Sequence, residues 1–153
     1  MNDSSLKTLF HPFEAGLLDP PGEGARALFL NAAPGFRLPA GFRAGLVPVQ
    51  DFRPSFLALQ AAGHAVAPQA EGEGYDLALA LAGRHRGRNE LWVAEALKRV
   101  RPGGRVVVAG GKTEGAASLR KRIGALAEIE DHAAKHHGVV FWLRRSATAD
   151  GAA

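Results

Sequence analysis

The stretch Tyr75–Ala82 (YDLALALA) constrains this chain more than any other, because after Asp76 it is apolar at both parities. A strand with one wet face alternates apolar and polar side chains, and a strand without alternation is covered on both faces. Covering both faces takes a layer of helices on each side of a sheet. Ala27–Ala32 (ALFLNA), Arg105–Ala109 (RVVVA) and Gly138–Arg144 (GVVFWLR) are further apolar strand candidates. Leu46–Gln50 is a weaker one, since Pro48 cannot donate to a ladder, and His64–Pro68 is a short one. Residues 1–24 read as irregular or briefly helical, with a turn at Asp19–Gly22.

Helical spacing appears three times. Pro54–Ala62 starts on a proline, which suits a first turn, and stops at Gly63. Asn89–Val100 puts Trp92, Val93, Ala96, Leu97 and Val100 on one face, and Glu95 and Arg99 pair one turn apart on another. Ala116–Ala127 puts Ala116, Leu119, Ile123 and Leu126 toward a core. This order of elements specifies a three-layer α/β domain with a mostly parallel sheet, its last strand free to run antiparallel. The 153 residues suffice for one such domain, expected over 1–145, with 146–153 as a tail or the start of an interdomain linker.

The chain has no cysteine, which removes disulfides, thiolate zinc sites and cysteine nucleophiles. Met1–Phe10 holds no apolar signal core, and the apolar runs are too short to cross a bilayer, so a cytoplasmic location is expected.

In a doubly wound sheet, ligands bind beyond the C-terminal ends of the strands, where strand order reverses. A nucleotide there wants a glycine-rich turn after the first strand, so that backbone can approach phosphate. This chain has Asn31-Ala32-Ala33-Pro34-Gly35 instead, and no Walker-type loop; Gly110-Gly111-Lys112-Thr113 lacks the upstream glycine. Asp51 follows the second strand, where an acid accepts hydrogen bonds from a ribose or merely caps a loop. Glu128, His132 and His136 have i,i+4 spacing and would share a face only if that segment were helical, so no metal is expected. No GxSxG elbow is present.

Charge is uneven: residues 81–125 carry 11 basic and 3 acidic side chains, within a chain of net charge +4. The fourth strand candidate runs into Gly83-Arg84-His85-Arg86-Gly87-Arg88, and the fifth into Gly110-Gly111-Lys112. Parallel neighbours would bring these loops to one rim, gathering Arg84, Arg86, Arg88 and Lys112, with Arg120 and Lys121 on the flank. Guanidinium groups fit phosphate oxygens, so these six are candidate contacts for an RNA backbone. Base readout is not expected, since Trp92, Phe141 and Trp142 fall in core-like runs.

Four segments carry a resemblance: Leu6–Leu18 (LKTLFHPFEAGLL), Tyr75–Leu91, Pro102–Arg122 (PGGRVVVAGGKTEGAASLRKR) and Lys135–Arg145 (KHHGVVFWLRR). Over about residues 6–145 the chain resembles the N-terminal half of the bacterial small-subunit (16S) rRNA guanine-N2-methyltransferase family. The resemblance implies a Rossmann-like domain of the class I methyltransferase type. It implies a degenerate half without catalytic or cofactor-binding residues, supporting a C-terminal catalytic half that binds S-adenosylmethionine. Ala82-Gly83-Arg84-His85 stands where a catalytic half would have an Asn-Pro-Pro-Phe type motif. The expected partners are that catalytic half and rRNA or the small subunit. The alternatives are a stand-alone Rossmann-type methyltransferase and a structural or dimerising domain that binds no RNA.

Overall fold

The computed structural model describes residues 3–111 and 115–146. Helix α1 (Asp3–Glu14) comes from the segment read as irregular or briefly helical. Leu6, Leu9, Phe10 and Phe13 recur at helical spacing within it and are buried. Strands β1 (Arg26–Leu30) and β2 (Gly45–Val49) are followed by α2 (Arg53–Ala61) and β3 (Tyr75–Leu81). Then come α3 (Arg86–Arg99), β4 (Val100–Gly111), α4 (Ala116–Gly124), β5 (Ile129–Lys135) and β6 (Gly138–Arg144).

The six strands form one sheet in the order β2-β1-β3-β4-β6-β5. Pairs β1–β2, β1–β3 and β3–β4 are parallel, and β6 is antiparallel to both its neighbours. Each central strand buries both faces, as its lack of alternation requires. One core layer joins Phe29, Leu79, Val107 and Trp142 to α1 and to Leu59 of α2. The other joins Leu28, Ala80, Val108 and Phe141 to Val93 and Ala96 of α3 and Leu119 of α4.

Between β1 and β2 there is no helix. Pro34, Gly35, Pro39 and Gly41 prevent one, and aromatic side chains fill the layer. Phe29 meets Phe10 and Phe36 edge to face at 6.2 and 5.2 Å, Phe42 meets Phe10 and Phe13, and Phe36 stacks on His64 at 4.6 Å.

Three expectations are corrected, and one strand is added. His64–Pro68 is not a strand; only Ala67 bridges, pairing with Val49 beside β2, because Gly63 at φ +96° and Pro68 leave too little extended chain. The last helix ends at Gly124, not Ala127, and Leu126 is 86% exposed instead of joining the core. Strand β5 was not anticipated, since IEDHAAK carries no apolar run; it forms by pairing with β6 across a tight turn. That turn puts His136 and His137 at φ +54° and +63°, the left-handed region usually taken by Asn-Gly. With Glu128 ahead of the strand, His132 within it and His136 in its turn, the helical face that could have gathered them does not exist.

Candidate functional site

Strand order reverses at β1, with β2 on one side and β3 on the other. Beyond the C-terminal ends of these strands, here the upper rim, lies a cavity of about 470 Å³. It is lined by the ends of β1, β2 and β3 and by the starts of α2 and α3.

Side-chain amides lace its floor. Asn31, at φ +55° just after β1, donates from Nδ2 to the Leu81 carbonyl at 2.8 Å, tying β1 to β3. Gln50 is 4% exposed and donates from Nε2 to the Ala32 carbonyl at 2.7 Å and to Asn31 Oδ1 at 3.2 Å. Its Oε1 accepts from the Phe52 N–H at 2.8 Å. Asn89 is buried and clamps Gly83 through both atoms, accepting from its N–H at 2.7 Å and donating to its carbonyl at 2.8 Å. Buried amides are tolerated only when so satisfied, and here each holds a loop in place.

Asp51 pairs with Arg88, Oδ2 to Nη2 at 2.6 Å. The same guanidinium lies 4.8 Å from the centre of the Trp92 ring. Both partners of the ion pair are about half exposed, so their attraction is worth no more than about 1 kcal/mol. Their consequence is geometric: the carboxylate that could meet a ribose already faces a cation.

Arg84 lies in the loop after β3, while Arg86 and Arg88 fall in the first turn of α3, which starts ahead of the expected Asn89. Arg84 and Arg86 are exposed and form no ion pair with any described residue. Strands β3 and β4 are parallel neighbours, so their following loops share the upper rim; Lys112 lies outside the described residues. Arg120 is half-buried and Lys121 exposed, both on α4. Other cations of the basic stretch go elsewhere. Arg122 pairs with Glu90 between α4 and α3, and Arg99, Arg101 and Arg105 bind Glu95, Asp76 and Glu130 toward the opposite rim.

The reading that Trp92, Phe141 and Trp142 are core residues holds for two of them. Phe141 and Trp142 are buried, but Trp92 is only partly covered and lines the cavity. Phe52 lines it too and is 62% exposed. Its signal in the sequence was its place between a strand end and the Pro54 helix start, where a small polar residue would cap the helix. Among the described residues no three His, Asp or Glu side chains gather as metal ligands, and no helix is long and apolar enough to cross a membrane.

The layers, strand order and single antiparallel β6 define a Rossmann-like domain of the class I methyltransferase type. No family model and no curated protein matches the chain. Solved structures do. The T. Thermophilus 16S rRNA N2 G1207 methyltransferase RsmC, solved with AdoMet and guanosine, is 25% identical over 90% of this chain at a TM-score of 0.65. This chain spans only 38% of that protein's length. A ribosomal protein L11 methylase from Lactobacillus delbrueckii subsp. bulgaricus matches with a TM-score of 0.69, at 12% identity over 94% of this chain and 80% of its own. The N-methyltransferase NodS from Bradyrhizobium japonicum WM9 matches with 0.65, at 13% identity over 95% and 99%. The last two likenesses speak for the fold alone.

Proposed function

We propose that this chain is a noncatalytic module of an S-adenosylmethionine-dependent 16S rRNA guanine-N2-methyltransferase, supporting the catalytic half and contacting rRNA. One observation carries the reading: at the floor of the crevice, where a cofactor in this fold would need close approach to the backbone, the chain's own polar groups bond to one another. Asn31 bonds across the strand ends where a glycine turn would leave room, and Asp51 is engaged by Arg88. The residues there do not fit S-adenosylmethionine, so no transfer step is assigned to this chain. The likeness to RsmC supplies the direction toward rRNA.

Arg84 and Arg86 are the first candidates for phosphate contact, since Arg88 is committed to Asp51; Lys112, Arg120 and Lys121 are the remaining candidates. Titration calorimetry with S-adenosylmethionine, and RNA binding across a salt series, test the two parts of the reading. The expected result is no saturable cofactor binding, together with RNA binding that weakens with salt. In an Arg84→Glu/Arg86→Glu double variant the salt slope should fall by about 2, roughly one unit per lost phosphate contact. Saturable micromolar binding of the cofactor would instead favour a stand-alone methyltransferase.

A further inference from the structure

We propose that the upper-rim crevice receives an unpaired nucleobase of an RNA strand, stacked on the open ring of Phe52, with Arg84 and Arg86 on the flanking phosphates. This rests on the RNA-contact reading and adds the chemical class of the group that enters the cavity. Two residues at this crevice break a local rule. Phe52 is the N-cap of α2 and His85 the N-cap of α3, and neither side chain makes a capping bond. Ser, Thr, Asp or Asn at either position would satisfy an orphan N–H of the first turn. Phe52 also leaves 62% of itself in water, so neither capping nor burial explains a phenyl ring there. The two residues are 33 apart in sequence, yet both line the same cavity of about 470 Å³. Local departures that converge in space mark a functional site.

The rest of the lining fits a nucleotide. Trp92 and the Arg88 guanidinium 4.8 Å from its ring centre, itself paired with Asp51, form one wall. Arg84 lines the cavity and Arg86 opens α3 beside it, both without an acidic partner among the described residues. Every base has a π-face that stacks on an aromatic ring, and guanidinium groups suit the phosphates on either side. The floor amides of Asn31, Gln50 and Asn89 are already bonded. Stacking therefore outweighs hydrogen-bond readout, and the site tolerates different bases.

A free nucleotide offers the same chemistry, so the test has an arm for each source. Wild type, Phe52→Ser and the Arg84→Glu/Arg86→Glu variant are titrated with a short single-stranded RNA, its duplex, AMP and GMP. Phe52→Ser should weaken single-strand binding about tenfold and leave duplex binding and the salt slope unchanged. It should also raise Tm by roughly 2–4 °C, because Ser caps α2. Single-strand affinity unchanged in Phe52→Ser, while charge reversal lowers it, overturns the stacking and leaves the RNA reading standing. Failure of the wild type to bind either RNA overturns both. Tighter binding of AMP or GMP than of the strand overturns RNA as the source of the base.

Discussion

The two rims of the sheet use arginine in opposite ways. At the lower rim, where β1, β3 and β4 begin, arginine is bound into the fold. The Arg26 N–H donates to Asp76 at 2.8 Å, its guanidinium donates to the Glu73 carbonyl and lies 4.3 Å from the Tyr75 ring centre. Arg101 pairs with Asp76 at 2.9 Å, Arg105 and Arg144 share Glu130, and Arg145 donates to the carbonyls of Lys98 and Val100 at the end of α3. At the upper rim, Arg84 and Arg86 have no such partner among the described residues, α2, α3 and α4 all start without side-chain caps, and an aromatic ring stands in water. A count of charge along the sequence pools both populations. Only the lower one is accounted for by stability, and the upper one holds the residues of the proposed RNA contact.

Three substitutions at the lower rim probe this division. Tyr75→Ala has the largest expected effect. Tyr75 is 4% exposed and its hydroxyl donates to the Glu71 carbonyl at 2.9 Å. Its loss should cost about 3–5 kcal/mol in denaturant unfolding, with RNA affinity of the folded protein unchanged; weaker RNA binding there would break the contrast between the rims. Gly104→Ala comes next. A Cβ on Gly104 would lie 2.9 Å from the Arg101 carbonyl oxygen and 2.9 Å from Val100 Cβ. Overpacking against backbone should cost about 1–3 kcal/mol, read as a lower denaturant midpoint at constant m-value.

Asp76→Asn has the smallest effect and the clearest pH signature. The Arg26 backbone N–H, then the Arg101 guanidinium, hold the Asp76 carboxyl below its ordinary value. A carboxylate lowered on folding adds stability that is complete above its unfolded pKa and is lost as pH falls through the folded one. Asp76 is about one-third exposed, so the gain stays within about 1 kcal/mol. The difference between wild type and variant should therefore be constant near neutrality and shrink in acid. A difference that grew in acid would show that the carboxylate is not what holds Arg26 and Arg101.

Much of the fold was legible because periodicity reports burial directly. Tyr75–Ala82 and Gly138–Arg144 announced strands covered on both sides, and Val93, Ala96 and Leu119 announced which helix faces turn inward. Strand β5 was not legible, because an edge strand with exposed residues needs no apolar pattern and takes its geometry from β6. Leu126 misled for the opposite reason: its spacing continued the helical pattern, but the helix stops at Gly124 and leaves it exposed. At the site, the run Arg84–Arg88 and the missing glycine turn could be read, but the exposure of Phe52 and the partial exposure of Trp92 could not.

The sequence by itself determined the three layers and the mostly parallel sheet. Each follows from residues within a few positions of one another. Tertiary structure decided which arginines are spent on the fold and which are left over. Asp51 and Arg88 are 37 residues apart, and Asp76 and Arg101 are 25 apart. Pairing at that distance depends on which strand ends share a rim, and strand order is set by how whole layers pack.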